Sequence, residues 1–375
     1  MSTFSPGRRR ILQAGVGVAA SSVALTGAQT QPGRGTVVAQ IVDTSPMHQD
    51  VSKDFLIGSR AAWQDINSRG GLRGRAVQHL SIEVDGSPAS LRAALAQVRD
   101  NTASVALCGT VSAAAASQLA DLLRNESGGL AHVAPWLQDG GEVDDRTFPI
   151  FAPRPEQISF ALKSLSTMGV RELGAVYATQ QDQALHHESV ERTAKAMQLR
   201  LQTYQAGQDL RELGQRLTPG TPALLLFLGG TPELARFTQG LEKQSRQRYV
   251  VALADVNLST LAQMGAARRT PVIATQAVPM VTASLPVVRN YRDVMARLFD
   301  EPPSSLSLAG FIAARYTAEV LAGMDGAVTR ASVLTAFQRR AAMDLGGFRI
   351  AYTPQRFGST FVTQSMLSTD GRVIG

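Results

Sequence analysis

Leu107 to Ala116 reads LCGTVSAAAA and completes the apolar run SVALCG (104–109). A glycine, two hydroxyl residues and a string of alanines make a sharp turn from strand into helix. Free amides at such a helix start, together with the positive end of the helix dipole, can hold an anion. Ser112 can equally serve as an ordinary N-cap, and the two roles are compatible. Asp255 closes the run YVVALAD (249–255), where a carboxylate at the carboxyl end of a strand can pair with a cation or cap the turn before Asn257. His186, His187 and Glu191 suggest a metal, since residues four apart share a helix face. Adjacent histidines point to different faces, however, and no third ligand is spaced nearby, so these residues read as a solvated surface group. The chain has no GxSxG elbow, no HExxH and no cysteine set beside a histidine, which argues against the common hydrolases and for a protein that is not an enzyme.

Composition sets the frame for these residues. With 375 residues, 44% of them hydrophobic and 18% charged, the chain is long enough for two globular units. Arginines and lysines are scattered among acids except at Arg8, Arg9 and Arg10. That cluster opens a basic, then mildly apolar, then polar segment with the anatomy of an export signal. GRRRIL resembles a twin-arginine signal, and Thr26-Gly27-Ala28 offers small residues for cleavage; a general secretory signal that happens to contain arginines is the other reading. Removal of residues 1–28 takes away three arginines and no acids, which lowers the formal charge from +7 to +4. That charge does not call for nucleic acid as a partner. Cys108 is the single cysteine, so no internal disulfide can form, and no later run reaches the ~18 apolar residues of a membrane helix. The expectation is a periplasmic protein without stable membrane insertion after export.

The elements that must position these residues alternate in the manner of βαβ units. Candidate strands are 37–43, 79–85, 104–109, 130–135, 173–178, 223–229, 249–255 and 271–278. Candidate helices are 52–68, 88–101, 112–125, 155–168, 185–198, 209–216, 232–246, 287–299 and 308–324. Pro88, Pro155, Pro232 and Pro286 fall at the expected first turns of helices. The three prolines of FPIFAPRP (148–155) forbid helix and mark a crossing segment, and 272–286 is a second. The tail from Gly346 looks like antiparallel strands. No GxGxxG follows the first strand and no GxxxxGK[ST] occurs, so no cofactor is called for.

The stretch 54–98 carries Gly58, the run Asp65-Ile66-Asn67, the turn from Gly70 to Arg75, a strand ending at Asp85 and Pro88. In that order it resembles the first lobe of type I periplasmic solute-binding proteins, in the leucine/isoleucine/valine-binding branch of ABC importer receptors. FLGGTPELARFTQGLEKQSRQ (227–247) and the closing hairpins extend the resemblance over 36–375. It implies an α/β, two-lobed fold, each lobe a parallel sheet flanked by helices, with three interlobe crossovers. The lobes would be 36–150 plus 282–330, and 151–281 plus 331–375. It also implies capture of a small carboxylate-bearing ligand, such as an amino acid, a derivative or an aromatic acid, and presentation to a membrane permease. A non-transport sensor of the same fold is the alternative.

Residue by residue, the resemblance places the ligand's carboxylate at Thr110, Ser112 and Ala113, with the hydroxyl displaced by about one position from the family's. Ala134, Trp136 and Gln138 stand where small and hydroxyl residues are usual. Trp136 can stack on a flat ligand or fill the lobe. Asp182 or Gln183 takes the place of an aromatic residue at the cleft, and Asp255 matches the partner of an ammonium. Thr44 and Ser45, near His48, and Thr231, beside Gly229 and Gly230, complete the candidate walls.

Overall fold

β1 (Val37–Asp43) is buried at every position, as a parallel strand covered on both faces must be. The computed structural model describes residues 35–125, 128–136, 144–205, 209–353 and 356–375. β1 lies between β2 (Gln78–Val84) and β3 (Ser104–Cys108). β4 (Ala131–Val133) and β5 (Thr147–Phe148) complete a five-stranded parallel sheet in the order β2-β1-β3-β4-β5. Its first helices are α1 (Gln49–Ser68), α2 (Pro88–Asp100) and α3 (Ala113–Arg124). α2 starts where the sequence asks it to, with Ser87 accepting from the Ser90 amide at 3.2 Å and Pro88 in the first turn.

The second sheet contains β6 (Glu172–Tyr177), β7 (Arg200–Gln205), β8 (Leu224–Leu228), β9 (Tyr249–Ala252) and β10 (Val272–Gln276), all parallel. Around it run α4 (Arg154–Thr167), α5 (Gln180–Ala196), α6 (Leu210–Arg216), α7 (Thr231–Leu241) and α8 (Leu258–Gln263). The chain then returns to the first lobe with α9 (Pro286–Leu298), α10 (Ser305–Ala322) and α11 (Arg330–Gln338). A small antiparallel sheet follows, built from β11 (Met343–Asp344), β12 (Arg349–Thr353) and β13 (Arg356–Gly358). β14 (Thr363–Leu367) finally joins β10 antiparallel, and β15 (Val373–Ile374) pairs with β14 at the edge. Three crossings between the lobes result, at 149–153, 277–285 and 359–362.

One boundary read from the sequence needs correction. Residues 331–375 do not pass to the second lobe as a block. Val333, Phe337, Phe348 and Ile350 are buried in the same core cluster as Val105 and Val133 of the first sheet, so α11 and β12 belong there. Only β14 and β15 enter the second sheet, because β14 is the strand that satisfies the open edge of β10.

α1 and α10 form the tightest helix pair of the first lobe. A Cβ on Gly58 would stand 1.7 Å from the Ser307 carbonyl oxygen, and one on Gly310 would stand 1.9 Å from that of Phe55. Both sites therefore require glycine. Cys108 is buried beside Thr317, with 3.0 Å from Sγ to Oγ1, and burial pushes its thiol up to about 12, so it is an inert core residue. No helix among the described residues is long and apolar enough to cross a membrane. The export-signal reading of residues 1–28 lies outside the described residues.

Candidate ligand-binding site

The turn after β3 is built by Gly109 and Ser112, both with positive φ, +69° and +74°. Gln40 Nε2 donates to the Gly109 carbonyl at 2.9 Å, and a side chain at 109 would press on Phe55. The loop is thus fixed against β1 and α1. It delivers Ser112 to the start of α3, where its hydroxyl accepts from the Ala115 amide at 3.1 Å. Ser112, Ala113 and Ala114 then line a cleft, with the first free amides of α3 and the positive helix end beside it. Ser112→Ala is expected to lower stability by about 1 kcal/mol through loss of the cap, while Ser112→Gly, which suits the positive φ, costs only a few tenths. Urea unfolding of the two variants checks this; equal losses would remove the cap from the account.

The cleft lies between the lobes and has a volume of about 220 Å³. That is below the ~300–1,000 Å³ of drug-sized sites, so it suits a small metabolite. From the first lobe come Met47, His48, Val51, the start of α3 and Trp136; from the second come Arg154, Thr179, Gln181, Asp182, Leu185, Gly229, Gly230, Glu233 and Asp255. The lobes touch beside it, where Asn257 Nδ2 donates to Asp54 Oδ2 of α1 at 3.1 Å.

Five residues named from the sequence meet here: Ser112, Ala113, Trp136, Asp182 and Asp255. Trp136 is 2% exposed and wedged against Phe151, at 4.8 Å between centroids, and Phe55, at 5.9 Å. It is a wall of the cleft rather than a free stacking plate. Its indole N–H is buried and has no hydrogen-bond partner among the described residues.

The remaining candidates sit elsewhere, each for a physical reason. Thr110 is fully buried, its hydroxyl 3.1 Å from His132 Nε2. Ala134 is fully buried at a positive φ of +49°, its amide donating to the Phe148 carbonyl. Thr44 is exposed and donates its hydroxyl to the Val84 carbonyl at 2.9 Å, so the loop after β1 reaches the cleft through Met47 and His48 instead. Thr231 is buried and accepts from the Asn257 amide at 2.9 Å, leaving Gly229 and Gly230 as the wall. Gln138 lies outside the described residues.

Two charged residues of the cleft escaped the sequence reading. Arg154, 8% exposed, donates from Nη2 to Asp255 Oδ1 at 2.7 Å and contacts the His186 ring. Its signal was its place between two prolines at the crossing. Glu233 accepts from the Gly230 amide at 2.6 Å, and its signal was an acid three residues into a helix. Asp182 closes a capping box with Thr179, accepting from the threonine amide at 3.1 Å and hydroxyl at 2.7 Å. Burial pushes the Asp182 and Glu233 carboxyls up from their ordinary values. Burial, and then the neighbouring guanidinium, push His186 down to about 4, so its imidazole is neutral at neutral pH. His187, by contrast, is half-buried and stands 3.9 Å from Glu191, so the two histidines diverge.

Two sheet-and-helix lobes, three crossings and an interlobe cleft define a type I periplasmic-binding-protein fold. A family model described as periplasmic binding protein matches residues 37–365, and the chain belongs to that family. Among solved structures it is similar to an extracellular ligand-binding receptor from Verminephrobacter eiseniae, at 18% identity over 91% of this chain and 100% of that one, with a TM-score of 0.81. It is also similar to a fatty acid ABC transporter substrate-binding protein from Thermomonospora curvata, at 13% identity, 90% and 89% coverage and a TM-score of 0.78. A third is the branched-chain amino acid transporter substrate-binding protein of Streptococcus pneumoniae in complex with isoleucine, at 12% identity, 90% and 97% coverage and a TM-score of 0.75. A comparison with curated proteins finds no match.

Proposed function

We propose that this protein is the exported solute receptor of an ABC importer, and that it captures a small carboxylate-bearing compound in the cleft and presents it to a membrane permease. The observation that carries the reading is the division of the cleft between lobes. The first lobe contributes the start of α3 with its amides and Trp136, whose buried N–H has no partner among the described residues, while the second contributes carboxylates and one guanidinium. A ligand with a carboxylate at one end and a polar or cationic group at the other touches both. It then binds the closed arrangement better than the open one, and closure follows from that difference alone. Solved relatives of the same fold include one holding isoleucine and one described as a fatty acid receptor, which supports ligands with a carboxylate end.

The ligand bonds directly to protein groups, with no bond made or broken. The test is a thermal-shift screen of the chain lacking residues 1–28 against amino acids, aromatic acids and short aliphatic acids. At 100 times its Kd, a true ligand adds about 2.7 kcal/mol of stability, a rise of several degrees. A flat melting temperature across all three groups removes the ligand class.

A further inference from the structure

Resting on that receptor reading, we propose that the ligand carries more positive than negative charge: a carboxylate compound with two cationic centres, of the diamino- or guanidino-acid class. Three carboxylates, Asp182, Glu233 and Asp255, converge from the second lobe on a cavity of about 220 Å³. Each uses one oxygen on the protein: Asp182 Oδ2 on Thr179, Glu233 Oε2 on the Gly230 amide, and Asp255 Oδ1 on Arg154. Arg154 is the guanidinium of the cleft, and Asp255 already engages it at 2.7 Å. His186 beside it is neutral at neutral pH. His48 is the remaining basic side chain on the wall, contributed by the first lobe.

Helix capping accounts for an acid near the start of α5 and of α7, and each cap is complete with one oxygen. It does not account for two such caps and a third carboxylate facing a single interlobe volume, where like charges repel and burial disfavours each ionised form. A cation in that volume supplies the missing compensation. An independent observation points to a bound molecule in the same place. Trp136, 2% exposed, lines the opposite wall beside the first amides of α3, and its indole N–H has no hydrogen-bond partner among the described residues. These donors suit the ligand's carboxylate. Its cationic groups then fall on the acidic second lobe, and one molecule answers both sets of open groups.

The test is titration calorimetry of the full mature chain with matched probes: L-arginine against L-citrulline, L-lysine against L-norleucine, and agmatine. Arginine and lysine are expected to bind at least about tenfold more tightly than their uncharged counterparts. Asp182→Asn and Glu233→Gln retain an acceptor for their caps, so both should keep the parent melting temperature. Each should weaken arginine at least about tenfold and leave citrulline within about twofold. Citrulline and norleucine binding as well as arginine and lysine overturns the charge assignment and leaves the receptor reading intact. Agmatine binding as tightly as arginine supports the cationic assignment and removes the carboxylate requirement. Silence from all five probes, with binding of a neutral amino acid or an aromatic acid, overturns the charge assignment alone; silence from every acid overturns both.

Discussion

Lowering the pH from 7 to 5 is expected to remove several kcal/mol of folding stability. Burial pushes His79, His132 and His186 down to about 4 in the folded protein, and in the unfolded chain they titrate near ~6.5. The unfolded state therefore takes up protons first as the pH falls. The stability these groups contribute is complete above ~6.5 and is lost between there and about 4, at up to about 1.4 kcal/mol per pH unit for each histidine.

Their surroundings explain the shifts. His132 is fully buried, with Thr110 at 3.1 Å and the Asp144 charge nearby; His79 bonds Gln40 at 2.9 Å and lies near Arg60; His186 faces Arg154 and Asp255. Asp50, Asp54, Asp182 and Glu233 act in the opposite sense. Burial raises their carboxyls, so the folded state protonates first at these positions, which reduces the loss toward pH 5. Urea midpoints at pH 7, 6 and 5 measure the slope. A midpoint that does not move would contradict a net excess of protons on the unfolded state across this range.

Gly58→Ala should cost about 3 kcal/mol or more. The added methyl meets the Ser307 carbonyl at 1.7 Å and its carbon at 2.5 Å, and both are backbone atoms that no rotamer change can move aside. α1 and α10 must separate, which loosens the packing that holds Phe55 under the Gly109 turn and so reaches the cleft. Gly310→Ala meets the Phe55 carbonyl at 1.9 Å and should behave alike. Gly128→Ala, with nothing within 4 Å, is the control and should stay within about 0.5 kcal/mol of the parent. Thermal denaturation separates these outcomes, and a Gly58→Ala protein as stable as the control would contradict the described helix contact.

The strands were legible in the sequence because buried parallel strands are short apolar runs with turns at both ends, as Val37–Asp43 and Leu224–Leu228 illustrate. β7 was missed because RLQTYQ is a half-exposed edge whose polar residues carry no such signal. α8 and α11 are short, and tertiary packing rather than periodicity sustains them. Within the cleft, Ser112, Asp182 and Asp255 were readable because their places at element ends fix them near the interlobe face. The three threonines were not, since Thr110, Thr44 and Thr231 find partners in the protein. Nor could the sequence disclose that Arg154 would reach across 101 positions to Asp255, a pairing created by the crossing of the chain between lobes.

That pairing alters what the cleft asks of a ligand. With Arg154 on one oxygen of Asp255, the carboxylate that the resemblance assigned to an ammonium is already half engaged. In the proposed reading, recognition of the ligand falls to the whole acidic wall and to the donors opposite it.

The cleft as a solute site is tested most directly through Trp136, since Trp63 is the chain's only other tryptophan and packs away from the cleft near His79. In a Trp63→Phe protein, emission from Trp136 is followed while amino acids and organic acids are titrated in. The account predicts a saturable change with one binding site for at least one of these compounds. Emission that stays constant through the entire series would contradict capture of a small solute at this wall.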